Sequence, residues 1–137
     1  MEAIKIKNLN YSIKNKPILQ NINFELKKDT IACILGPSGS GKTTLLKLIA
    51  GLSKVEDGEI FLNDQLASSN NVHLKTEKRK IGFLFQDYAL FPHQTVKANL
   101  QFAIKKKSTS HTIEEILDVI KLSDALDKYP HELSGGE

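Results

Sequence analysis

The spacing of hydrophobic positions changes along the chain, and each spacing predicts a different element. Ile4 and Ile6 alternate with Lys5 and Lys7, and Ile22, Phe24 and Leu26 alternate with polar neighbours. Alternation predicts strands with one wet face, paired antiparallel, with a turn between them at Asn15-Lys16-Pro17. Ile31-Ala32-Cys33-Ile34-Leu35 is apolar without interruption, which predicts a strand buried on both faces, with Cys33 as inert core packing. Leu45, Leu46, Leu48, Ile49 and Leu52 then recur at helical spacing, with Gly51 as the stop. Val55-Glu56-Asp57-Gly58 predicts a turn before a short strand from Glu59 to Leu62. Asn63 to Lys78 is polar and without period, so it is expected to be mostly loop, and Ile81 to Phe85 to be a second apolar strand.

Beyond Gln86 the pattern is helical. Val96, Leu100, Ala103 and Ile104 share one face behind Thr95 as an N-cap. Ile113, Ile116, Leu117 and Ile120 form another stripe, opened by Thr112 with Glu115 three residues on, a capping box. Lys105 to Ser110 reads as a solvated link between the two helices. The expected division is an α/β part over residues 1–85 and a helical part over 86–137.

Composition narrows the function classes. The chain has 137 residues, 40% hydrophobic and 26% charged, which suits one soluble domain. A net charge of +3 is too small to point to nucleic acid. One cysteine builds neither an internal disulfide framework nor a thiolate metal site. No apolar run reaches the roughly 18 residues of a membrane span, and Met1-Glu2-Ala3-Ile4-Lys5 lacks the apolar core of a signal peptide. The expectation is a cytosolic chain.

Between the predicted strand and helix lies Gly36-Pro37-Ser38-Gly39-Ser40-Gly41-Lys42-Thr43, which fits the phosphate-binding pattern G-x-x-x-x-G-K-[ST] in its required strand–loop–helix setting. Glycines let the backbone curl until successive N–H groups face one centre, and the helix adds the positive end of its dipole. Lys42 supplies a charge for the β- and γ-phosphates, and the Thr43 hydroxyl is a ligand for Mg²⁺. A glycine-rich turn beside a solvated lysine would satisfy the pattern alone, but not the pattern with its flanking elements.

With this loop in place, the sequence resembles the ATP-binding cassette ATPases of ABC transporters. Phe83 to His93, which contains Gln86, looks like the family's Q-loop. Leu133-Ser134-Gly135-Gly136-Glu137 looks like its signature motif, with Glu137 where glutamine is commoner. Tyr11 falls where the family places an aromatic that stacks on adenine. The resemblance runs from Ala3 to Glu137. It implies a P-loop NTPase of the ABC ATPase type, α/β with an antiparallel β subdomain and a helical subdomain. It implies ATP and Mg²⁺ as cofactors.

Carried onto this sequence, the resemblance makes Tyr11, Gly36, Pro37, Ser38, Gly39, Ser40, Gly41, Lys42, Thr43, Thr44, Ser134, Gly135 and Gly136 nucleotide-binding. Lys42 and Gln86 would serve the reaction, and Thr43 and Gln86 the metal. Each has a plainer role beside it: strand packing for Tyr11, a surface glutamine for Gln86, a helix cap for Ser134-Gly135-Gly136. The cluster Tyr88, Leu90 and Phe91 is expected to dock a membrane subunit, its alternative being a small satellite core under the helical part.

The family's Walker B aspartate, catalytic glutamate and switch histidine should follow the signature, so the expectation is a single cassette domain, C-terminally incomplete. The implied protein is the ATPase subunit of an importer, peripheral on the inner face of the cell membrane. Its implied partners are a second ATPase subunit, transmembrane permease subunits and, indirectly, a solute-binding protein, with no nucleic acid. A non-transport cassette ATPase and a non-catalytic nucleotide-binding fragment are the alternatives; the short span from Gln86 to Leu133 speaks against the long insertion of chromosome-maintenance members. Glu77 to Gly82 and Gln86 to His93 are similar to importers of molybdate, sulfate, ferric iron and polyamines. The short span and Glu137 lean toward molybdate, and Tyr129-Pro130-His131-Glu132 toward ferric iron.

Overall fold

A computed structural model describes residues 2–104 and 113–137. Its contacts divide the chain into two units, Met1–Phe83 and Leu84–Glu137.

In the first unit, β1 (Glu2–Ile13) and β2 (Lys16–Lys27) form a long antiparallel hairpin. Lys14 and Asn15 turn it with φ of 48° and 62°, a tight pair of left-handed residues placed slightly before the predicted turn. β3 (Asp57–Leu62) pairs antiparallel with β1, and β4 (Gln65–Ser68) with β3, giving the order β2-β1-β3-β4. The one-sided alternation of the early strands thus forms the antiparallel sheet it predicts. β4 corrects the expectation of loop after Asn63. Asn63 and Asp64, at φ 49° and 63°, make a two-residue hairpin turn that periodicity could not reveal.

Helix α1 (Lys42–Ala50) lays Leu45, Leu48 and Ile49 against Ile6, Leu9, Leu19, Ile60, Leu62 and Ala67 of the sheet. Leu46 and Leu52, expected on the same stripe, are exposed. Gly51 stops the helix in the left-handed conformation: its N–H donates to Leu48 O at 3.1 Å and that of Leu52 to Lys47 O at 2.9 Å. Beside it Arg79 is buried, donating to Leu48 O and Ile49 O of α1, to Leu74 O, and to Ala67 O and Ser68 Oγ of β4. A cation at the carbonyl end of a helix is favourably placed in its dipole, so Arg79 ties the end of α1 to the sheet.

Two predicted strands are not formed. Residues 31–35 lie outside any strand and are exposed, Ile31 fully and Leu35 at 86%, and Cys33 is exposed instead of packed. Residues 81–85 also lie outside any strand, and Leu84 is 77% exposed. A doubly buried strand needs ladder partners on its edges, and all strand pairs among the described residues belong to the antiparallel sheet.

The second unit contains α2 (Val96–Ile104) and α3 (Ile113–Ile120). Thr95 caps α2 as predicted, its Oγ1 accepting the Ala98 N–H at 3.3 Å. The Val96 and Lys97 N–H groups, which have no acceptor within a helix, donate to Lys128 O and Leu126 O, both at 2.9 Å. Leu117 and Ala125 are buried at the centre of this unit, while Ile120 of the predicted stripe is exposed. The expected box at Thr112 and the link from Lys105 to Ser110 lie outside the described residues.

Candidate phosphate-binding site

The loop is exposed from Gly36 to Ser40 and runs through the buried Gly41 straight into α1. Gly41 is the helix N-cap at φ 91°, and a Cβ there would meet Leu19 Cδ2 at 2.8 Å and Ile18 O at 3.2 Å. Glycine is therefore required twice, for the left-handed turn and for the close approach to β2. Helix geometry leaves the first amides of α1 without intrahelical acceptors. No acidic side chain occupies the first turn, so the positive end of the helix is left for an anion.

Lys42 bends back over this end. Its Nζ donates to Gly36 O at 2.8 Å, Pro37 O at 2.7 Å and Ser40 Oγ at 3.3 Å. The ammonium thus sits at the rim of the loop, held by neutral oxygens that phosphate oxygens can replace with stronger charge-assisted bonds. Thr43 is exposed on the first turn and Thr44 is half-buried.

Tyr11 is brought to the same place. It pairs with Leu19 across the hairpin and packs on the apolar cluster that contains Leu19. Leu19 in turn touches Gly41. The hairpin and α1 therefore gather Tyr11 and Gly36–Thr44, distant in sequence, into one region of the first unit.

The remaining candidates lie in the second unit. Gln86 is exposed in a turn in which Tyr88 and Ala89 have φ of 59° and 50°. Ser134, Gly135 and Gly136 are exposed, and with Leu84, Tyr88, Leu90 and Pro130 they line a cleft of about 650 Å³. The Ser134 N–H donates to Glu137 Oε2 at 2.7 Å, and hydrogen bonding by Ser134 holds the Glu137 carboxyl below its ordinary value. Phe91 stacks edge-on against Phe102 of α2 with ring centres 5.0 Å apart, while Asn99 accepts its N–H at 2.9 Å and donates to its carbonyl at 3.2 Å. Tyr88, Leu90 and Phe91 remain 56%, 48% and 37% exposed. No cluster of three or more His, Cys, Asp or Glu occurs among the described residues.

Sequence reasoning missed the bracing role of Arg79. Its only signal was a lone arginine in a lysine run, with nothing local to mark it as buried.

Comparison with known proteins identifies the family. The model of the ABC transporter family matches residues 19–137. The chain is 38% identical to the sulfate/thiosulfate import ATP-binding protein CysA of Mesorhizobium japonicum, over 98% of this chain and 40% of that protein. It is 36% identical to the Fe(3+) ions import ATP-binding protein FbpC 2 of Haemophilus influenzae, over 98% of this chain and 39% of the other. It is 38% identical to the spermidine/putrescine import ATP-binding protein PotA of Thermotoga maritima, over 98% and 37%. A dimeric ATP-binding cassette solved in a post-hydrolysis state with ADP and Pi is similar with a TM-score of 0.75 and 32% identity, covering 97% of this chain and 64% of that one. The chain thus spans about 40% of the length of these curated relatives.

Proposed function

The chain belongs to the ABC transporter family, and from that premise we propose that it is the nucleotide-binding part of an importer's ATPase subunit. The observation that carries the reading is the Lys42 ammonium poised over the N-terminus of α1, with Tyr11 gathered beside the same loop. Gly36 to Thr44 bind the phosphates, and Tyr11 offers a π-face to the adenine. Ser134, Gly135 and Gly136 act on the nucleotide of a second ATPase subunit.

Mg²⁺ suits this donor set, because it takes one or two protein oxygens and completes its shell with phosphate and water. The Thr43 hydroxyl would be such an oxygen. When bound, the ion would supply charge neutralisation at the phosphates. Lys42 adds its charge to the phosphates, and Gln86 couples the site to the permease subunits, on which Tyr88, Leu90 and Phe91 dock. The protein is then peripheral on the cytoplasmic face of the membrane; among the described residues no helix is long and apolar enough to cross one. The solute is an inorganic ion, and the short span between Gln86 and Leu133 favours molybdate.

Calorimetry with MgATP tests the assignment. Lys42→Ala should weaken binding at least about tenfold, the loss of one charge-assisted contact set. Equal affinity for both proteins would sink the phosphate-loop reading.

A further inference from the structure

Two bulges decide which way Tyr11 faces. In β1 the buried residues Ile6 and Leu9 are three positions apart, and in β2 Leu19 and the half-buried Ile22 are likewise three apart. The extra residues fall at Asn8 and Asn21, with φ of 48° and 46°. The strand register shifts between Ile6 and Leu9 and again between Leu9 and Tyr11. Strict alternation from Ile6 would put Asn8 and Asn10 on the core face and turn Tyr11 away from it. A bulge re-aims the side chains beyond it, and here Leu9 is fully buried and Tyr11 packs on the core cluster.

A bulge also pulls backbone groups out of the ladder, and they need other partners. Two side chains supply them. Asn23 Oδ1 accepts the Asn8 N–H at 2.8 Å, and Asn10 Nδ2 donates to Asn8 O at 3.0 Å. Asn10 Oδ1 accepts the Asn21 N–H at 2.7 Å, and Asn23 Nδ2 donates to Asn21 O at 3.0 Å. The N–H and the C=O of both bulge residues are thus bonded by two carboxamides. From β3, Asp57 Oδ2 accepts a further bond from Asn10 Nδ2 at 2.7 Å. Gly58, at φ 97°, backs the β1 bulge so closely that a Cβ would lie 2.6 Å from Asn8 O and from Leu9 Cα.

We propose that Asn10 and Asn23 are positioning residues for the nucleotide base. They lock the paired bulges that present Tyr11 beside the phosphate loop, and so set the affinity for the base while leaving the phosphate cradle alone. This rests on the reading of Tyr11 as the adenine-stacking residue.

Calorimetry on the full chain, with MgATP and with inorganic tripolyphosphate as separate probes, separates the two readings. Tyr11→Ala should weaken ATP by about 5- to 100-fold, the range of one stacking contact, and tripolyphosphate less than about twofold. Asn10→Ala should weaken ATP by about three- to tenfold with tripolyphosphate again unchanged, and should add nothing in the Tyr11→Ala background. Asn23→Asp keeps the bond from the Asn8 N–H, loses the donor to Asn21 O, and should fall between wild type and Asn10→Ala. It serves as the decisive variant should Asn10→Ala fail to fold. Equal loss of both probes, or an effect of either asparagine variant that persists without the Tyr11 ring, would overturn the proposal and make the clamp only structural. Unchanged ATP affinity in Asn10→Ala alongside a weakened Tyr11→Ala would also overturn it, with the adenine assignment intact. Unchanged affinity in Tyr11→Ala would overturn the adenine assignment and the proposal together.

Discussion

Replacing Arg79 by methionine should destabilise the first unit by about 3 kcal/mol, an amount that follows from its hydrogen bonds. The guanidinium is 3% exposed and donates to Leu74 O at 2.9 Å, Leu48 O at 3.1 Å, Ile49 O at 2.8 Å, Ala67 O at 3.3 Å and Ser68 Oγ at 2.6 Å. Two of these acceptors keep another donor: Leu48 O holds the Gly51 N–H and Ala67 O the Leu74 N–H. Ile49 O, Leu74 O and Ser68 Oγ lose a charge-assisted partner, at about 1–3 kcal/mol each. Relief from burying an arginine offsets part of that sum; the same burial holds the guanidinium below its ordinary pKa. Methionine fills most of the volume, so little cavity term is added. In urea unfolding of the full chain followed by circular dichroism, 3 kcal/mol corresponds to a midpoint lowered by about 1–3 M. Arg79→Lys should recover less than half of the loss, because one ammonium cannot span α1 and β4 as the planar fork does. A midpoint within about 0.2 M of wild type for Arg79→Met would refute the clasp, since even one stripped acceptor exceeds that shift.

The remaining tests probe other parts of the chain. His73, an exposed residue whose pKa is pushed down by partial desolvation and then by the charges of Arg79 and Lys54, should titrate by NMR below the ordinary histidine value. A folded pKa below the unfolded one means that its contribution is fully present above the unfolded value and is lost as pH falls through the folded pKa; a midpoint at or above the ordinary value would show that the two cations do not act on it. Cys33 in its exposed segment should react with a thiol reagent in native buffer as fast as in urea, and protection beyond about tenfold would show the segment to be packed. On the docking role proposed above, Phe91→Ala, which removes an edge-on ring contact worth about 1 kcal/mol, should leave ATP affinity unchanged while reducing co-purification with the proposed permease subunits. Full assembly with a lowered melting temperature would make the Phe91–Phe102 pair core and not interface.

What could be read from the sequence divides by the range of the interactions involved. Helix α1 and its cradle were legible because the apolar spacing, Gly41, Lys42 and Gly51 all act within a turn or two of one another. The existence of β1 and β2 was legible for the same reason, but their phase was not. Counting twos from Ile6 puts Tyr11 on the wrong face, and only the bulges correct it. The repeated spacing of Asn8 with Asn10 and of Asn21 with Asn23 was the visible trace, since asparagine tolerates left-handed backbone and its carboxamide can replace a missing ladder bond. β4 was hidden behind a turn, Asn63-Asp64, whose chemistry outweighs the missing period. Arg79 was hidden because burial of a cation depends on carbonyls drawn from α1, β4 and the segment at Leu74.

Residues 31–35 and 81–85 raise a harder question, because their composition is that of buried strands and the described residues do not make them so. An antiparallel hairpin carries its partner a few residues away. A parallel strand is completed by neighbours reached only through long crossovers, so its apolar run records a need for burial without naming what meets it. Neither run is met within the antiparallel sheet, whose strands find their partners locally. The phosphate loop shows the other side of this dependence. Its cradle rests on Gly41 against β2 and on α1 against the antiparallel sheet, contacts complete within the first unit. The site can therefore hold its shape at the helix N-terminus and at Tyr11 while the segment leading into Gly36 stays outside any ladder.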